Sequence, residues 1–282
     1  MPQSDRRFNL KASLFIGTIF QLLVFSCSKS DAENSVSLEV KHIELQSPDD
    51  IISLNDSLVP PILYSHIKGI DTLVVAEKKD KFISAVLPAI LVAKYRIEQN
   101  RNRVKKLLRE ENWSEQDSIF YNRLCSEYGT DNQTVLLNRM VVHPNSIILA
   151  QAIIESGWGS SRVFQEANNM FGVWSYKPDE PRIAAKFQRD GETIYLRKYD
   201  DFADSIEDYL KTVARVNAYR EFRAARLITS DPFKLITHLS HYSERREEYV
   251  VELSAMIRFN ELTRFDRYII DPSYINLSGS TQ

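Results

Sequence analysis

Cysteine occurs only twice in the 282 residues, at Cys27 and Cys125, too few for a disulfide framework. No Cys/His cluster has zinc-ligand spacing, so no metal is called for. Glycine is scarce, at eight residues, and none of them builds a phosphate-binding loop or a dinucleotide fingerprint. HExxH and GxSxG are also missing. Together these absences remove the zinc proteases, nucleotide-binding enzymes and serine hydrolases from consideration, and no cofactor is expected. Charge of one sign is not in excess either, with 36 Lys and Arg against 38 Asp and Glu. Leaving out residues 1–26, which hold Arg6, Arg7, Lys11 and Asp5, gives 33 against 37, or −4. A nucleic-acid partner is therefore not expected. What is present is ordinary folding material, 43% hydrophobic and 26% charged.

The first segment reads as an address. Arg6, Arg7 and Lys11 precede an apolar run over residues 12–25, too short for a spanning helix and suited to a secretory signal. The run ends in Val24, Phe25, Ser26 and Cys27, which resembles the lipobox of bacterial lipoproteins. That resemblance implies a signal peptide over residues 1–26 and lipid on Cys27, so that the protein sits membrane-anchored in the cell envelope, in the periplasm or outer membrane. Cys125 lies in an amphipathic helical pattern and reads as a packing cysteine.

Residues 27–76 mix Ser, Asp and Asn with short apolar groups and read as a tether or N-terminal arm. Helical spacing begins at residue 78, where Phe82, Ile83, Val86, Leu87, Ile90 and Leu91 share a face, with a bend expected at Pro88. The basic run from Lys94 to Arg109 on the same helix reads as a solvated face. Ser114 with Asp117 signals a helix start, Gly129 a stop, and Pro144 the first turn of a helix that ends near Gly157. Residues 182–188 and 193–199 alternate like strands around Asp190-Gly191, a strong hairpin turn. Helices resume over 204–216, 218–227, 232–239 and 244–259. The expected fold is α+β, mainly helical, lysozyme-like with a small β-hairpin lobe, and the expected units are a domain over 77–268 and a tail over 269–282.

The chemistry concentrates in residues 149–174, LAQAIIESGWGSSRVFQEANNMFGVW. Glu155 falls in the last turn of an apolar helix beside Gly157, Trp158 and Gly159. The negative end of the helix dipole and desolvation against an indole both disfavour its carboxylate, which suits a general acid for glycoside cleavage. The glycines fit close approach of a sugar chain or an ordinary helix end, and Trp158, Phe171, Trp174 and Tyr176 fit a groove lining or core packing.

Taken as one string, these residues resemble the glucosaminidases of glycoside hydrolase family 73, whose helix reads roughly LAQAxxESGWGxS followed by ANNLFG. Asn217 to Arg220 and the segment from Tyr242 to Val250 are similar to the Bax-type branch of that family. The resemblance implies an endo-β-N-acetylglucosaminidase that cleaves peptidoglycan between N-acetylglucosamine and N-acetylmuramic acid, with Glu155 as catalytic acid. It further implies that Tyr242 holds the sugar, that Asn169 fixes a loop and that Phe171 shapes the floor. The family often carries a second carboxylate on the hairpin, but residues 182–187 contain none, which leaves Glu180 and Glu192 as candidates and the substrate's own N-acetyl group as an alternative. Glycan strands are the expected partner, and the chain is expected to be monomeric. A lytic transglycosylase and a non-catalytic wall-binding lipoprotein are the rival readings.

Overall fold

The computed structural model describes residues 36–189 and 191–277. The signal segment and the Cys27 lipobox lie outside the described residues.

The described chain opens with β1 (Val36–Leu38), β2 (Lys41–Glu44), β3 (Leu58–Val59) and β4 (Ile62–Ser65). The long helix α1 (Val75–Leu107) follows, then α2 (Glu115–Tyr128), α3 (Gln133–Arg139), α4 (Asn145–Ser156) and α5 (Arg162–Ala167). A small lobe comes next, made of β5 (Trp174–Ser175), β6 (Arg182–Arg189) and β7 (Glu192–Arg197). The rest is α6 (Phe202–Arg215), α7 (Arg220–Ala225), α8 (Pro232–Ile236) and α9 (Glu247–Phe259), closed by β8 (Ile269–Ile270) and β9 (Ile275–Leu277). Mainly helical α+β with a hairpin lobe is thus what forms.

The local signals act as their chemistry dictates. The Ser114 hydroxyl accepts from the Asp117 N–H to start α2, and Gly129 ends it in the left-handed conformation, φ 64°. Pro144 sits one position earlier than expected, capping α4 rather than entering its first turn. From Phe82 to Ala93, α1 is buried on every side, which makes it the central helix that α4, α6 and β4 pack around. Pro88 lies within this one 33-residue helix. Among the described residues no helix is long and apolar enough to cross a membrane.

Two expectations change. The arm read as a tether over 27–76 is folded over its described part, with Ile51, Val59, Leu63, Tyr64, Ile67 and Ile70 all buried. Each such side chain contributes roughly 1.5–3 kcal/mol of apolar burial before entropy is charged. The tail is likewise paired over its described part, to Leu277: β8 pairs in parallel with β3, and β9 pairs antiparallel with β1. Each end of the described chain supplies hydrogen bonds to the other. Strands of two to four residues carry too little alternation to be seen in a sequence, so only the pairing reveals them.

The basic run on α1 is also more than a solvated face. Arg96 pairs with Asp204 of α6 at 2.8 Å, Arg103 with Asp117 of α2 at 2.8 Å, and Lys94 donates to Asn145 of α4 at 2.6 Å. These contacts tie α1 to its neighbours. The lobe has strand order β5-β7-β6, with Arg189 opposite Glu192 at the turn. Strand β5 is an addition that the sequence pattern did not show.

Candidate active site

Helix α4 buries Ile147 to Ile153 and then exposes Glu155 in its last turn. Gly157 stops the helix with φ 60°, and a Cβ placed there would meet nothing within 4 Å. Gly159 differs, because its Cβ would come within 3.0 Å of Phe164 and 3.2 Å of Ile70 and Phe82. Of the two glycines, then, only Gly157 borders open space; Gly159 is required by packing.

The Glu155 carboxyl is exposed at its edge yet surrounded by protein. Tyr249 of α9 donates to its Oε1 at 3.2 Å. Its pKa is raised above the ordinary carboxylate value, first because the surrounding protein strips water from the charged form. The Tyr249 hydroxyl and the Arg245 guanidinium oppose this, and the Glu252 carboxylate adds to it. Arg245 and Glu252 are themselves paired at 2.6 Å, and the Arg245 guanidinium lies 5.7 Å from the Tyr249 ring centre. A general acid works while protonated, so its activity is lost as pH rises through its pKa. Glu252→Gln removes the charge that raises Glu155 and releases Arg245, which lowers it. The alkaline limb of the rate profile is therefore expected to move to lower pH, by less than about one unit because the pair is half exposed and screened. A limb unmoved in a pH–rate series would show that this pair does not act on Glu155.

Behind Tyr249 stands Gln151, one turn before Glu155, whose Nε2 donates to the Tyr249 hydroxyl at 3.2 Å. Tyr209 of α6 donates to Gln151 Oε1 and lies 3.1 Å from His143 Nε2. Tyr242 stacks on Tyr249 with ring centres 5.4 Å apart and meets Tyr209 edge-on at 6.1 Å. Burial first, and the charge of Glu155 after it, push the hydroxyls of Tyr242, Tyr219 and Tyr209 above their ordinary pKa.

Of the residues singled out in the sequence, Glu155 and Tyr242 are therefore brought together. Phe171 is buried and stacks on Tyr209 at 4.2 Å, a support beneath the site. Asn169 fixes its loop, donating to the carbonyls of Val173 at 2.9 Å and Arg197 at 3.0 Å and accepting from the Val173 N–H at 3.0 Å. Trp174 is partly exposed on β5, 6.1 Å from Tyr176. Trp158 goes elsewhere: its backbone is left-handed, φ 58°, and its indole packs edge-on against Phe82 at 5.6 Å under Lys79. It lines a separate concavity of about 310 Å³ with Lys79, Asn260 and Arg264. Among the described residues the ring contacts of this indole are to Phe82 and Lys79, and the hydroxyl on Glu155 comes from Tyr249 instead.

Neither candidate for a second carboxylate touches Glu155 directly. Glu180 pairs with Arg197 at 3.4 Å, and the Ser175 hydroxyl and that guanidinium hold it below its ordinary pKa. Glu192 is exposed beside the hairpin turn. Among the described residues neither bonds to Glu155. A carboxylate that acts on Glu155 is Glu252, which, with Gln151, Tyr249, Tyr209, His143 and Arg245, had no place in the site from the sequence, where His143 read as a helix-entry residue and Tyr209 as part of a packed helix face. The only sequence signal for them is spacing, Gln151 with Glu155 and Tyr249 with Glu252 each falling on one helix face.

The family described as mannosyl-glycoprotein endo-beta-N-acetylglucosaminidase matches residues 133–262, the stretch that holds α3 to α9 and every residue placed around Glu155. Residues 133–262 are a glucosaminidase-family domain. The chain is 29% identical over 136 residues to the exo-glucosaminidase LytG of Bacillus subtilis, covering 45% of this chain and 47% of that protein. Over 198 residues the chain is 24% identical to protein Bax of Escherichia coli, covering 65% of this chain and 70% of Bax. It therefore spans about half the length of LytG. A solved structure similar to it is the catalytic domain of the autolysin Auto from Listeria monocytogenes, at 21% identity and TM-score 0.38, covering 60% of this chain and 97% of that one.

Proposed function

We propose that this chain is a peptidoglycan hydrolase, an endo-β-N-acetylglucosaminidase that cuts between N-acetylglucosamine and N-acetylmuramic acid. One observation carries the reading: Glu155 ends an apolar helix with a raised pKa and a tyrosine hydroxyl on one oxygen. In its protonated form it donates its proton to the glycosidic oxygen as the bond to the anomeric carbon breaks. The positive charge left on the sugar is then taken up by water, or first by the substrate's own N-acetyl oxygen. The match to a glucosaminidase family supports this choice of bond.

The same proposal includes lipid on Cys27, anchorage in the bacterial envelope and a monomeric chain bound to glycan strands; these rest on the sequence of residues 1–27 and on the substrate class. A second reading, a wall-binding protein without catalysis, is favoured by one observation, the engagement of Glu180 with Arg197. Mass spectrometry of fragments released from purified peptidoglycan separates the readings. Reducing N-acetylglucosamine ends are expected. Anhydromuramyl ends would make it a transglycosylase, and binding without any fragments would make it the wall-binding protein.

A further inference from the structure

We propose that Tyr249, steered by Gln151, is a positioning residue that reserves Oε1 of Glu155 as an acceptor and so leaves the transferable proton on the other carboxyl oxygen. The proposal rests on the reading of Glu155 as the acid and adds the group that orients its proton.

Four side chains line up behind the carboxyl: His143 before α4, Tyr209 of α6, Gln151 of α4 and Tyr249 of α9. None is more than 2% exposed, so water cannot replace their bonds. The direction of the line follows from what each atom can do. The Nε2 of Gln151 can only donate, and it donates to the Tyr249 oxygen, which leaves the Tyr249 hydrogen for Glu155 Oε1. The Oε1 of Gln151 can only accept, and it takes the Tyr209 hydrogen. That leaves the Tyr209 oxygen to accept from His143 Nε2–H. His143 Nδ1 is buried with no partner, so a hydrogen placed there would be stranded, and the Nε2–H tautomer is the one the site favours. Every hydrogen in the line points toward Glu155.

The line also carries no charge of its own near neutrality. Burial pushes the His143 pKa well below its ordinary value and those of Tyr209 and Tyr249 well above theirs. An unconstrained carboxyl shares its proton between two oxygens. With Oε1 engaged, only the second oxygen can carry the proton to the glycan. The other groups facing Glu155 are Arg245, Glu252, Tyr242 and Tyr219, and among the described residues none of them donates to Oε1.

The test is a titration of the Glu155 carboxyl in the full chain by carbon-13 NMR, its signal assigned by loss in Glu155→Gln, run beside kcat and KM on peptidoglycan. Tyr249→Phe deletes the donor, so the Glu155 pKa is expected to rise by about one unit, tenfold in its acid dissociation constant. Its kcat should fall about tenfold or more while KM stays within about twofold. Gln151→Met and Tyr209→Phe keep the packing and loosen the line, and should shift the titration in the same direction by less. Unchanged titration and kcat in Tyr249→Phe would overturn the proposal, as would a change in KM alone, which would make the tyrosine a substrate contact. If Tyr249→Phe does not fold, wild-type titration in both other variants would overturn it equally. Retained activity in Glu155→Gln would instead defeat the acid reading, and the titration would still report the bond.

Discussion

Glu155→Gln is expected to release glycan fragments at least about a hundredfold more slowly than the parent chain, the usual scale for losing a general acid. The substitution keeps the shape of the side chain and still lets Tyr249 donate to its Oε1, so the surrounding tyrosines have no reason to move. What it removes is the ability to give up a proton. Because the carboxyl is held above its ordinary pKa by loss of solvation, replacing it with a neutral amide should leave thermal stability unchanged or slightly higher. Activity in the parent should fall as pH rises through the Glu155 pKa, and that alkaline limb should vanish in the variant. Rates of reducing-end release across pH, with a melting curve for each protein, check all of this. Parent-like rates in the variant would remove Glu155 from the role.

Gly159→Ala is expected to destabilise the fold by about 2–5 kcal/mol. A left-handed φ of 77° costs an alanine about 1–2 kcal/mol, and contacts of 3.0 Å with Phe164 and 3.2 Å with Phe82 and Ile70 add the usual penalty for overpacking, about 1–3 kcal/mol. Gly157→Ala pays only the backbone part, because nothing lies within 4 Å of its Cβ. Denaturant midpoints for the two variants measure the contrast. Equal losses would show that the space around Gly159 is not tight. The consequence reaches beyond one loop, since Ile70 follows the N-terminal strands and Phe82 belongs to α1. Gly159 is where the segment after the acid, the central helix and the arm meet.

The parts of the site that could be read from the sequence are those made within a few residues. The apolar period of α4, its glycine stop and the acidic residue in its last turn are local, and so are the Ser114 cap and the hairpin pairing of β6 with β7. Asn169 as a loop anchor was implied by the family resemblance alone, and its amide does bond the Val173 and Arg197 carbonyls. Trp158 was misplaced, because sequence neighbourhood says nothing about a left-handed backbone that sends an indole to Phe82.

By itself, then, the sequence determined a mainly helical body, one hairpin, the place of Glu155 in the last turn of its helix and the absence of metal-binding and nucleotide-binding motifs. Only the tertiary structure decided what touches that acid. Tyr249 lies 94 positions from Glu155 and Tyr209 lies 58 from Gln151, distances over which no periodicity or turn chemistry operates. It also decided that the two ends of the described chain pair with each other, because strands of two to four residues are held by hydrogen bonds to a partner and by burial, and neither is written in their own side chains.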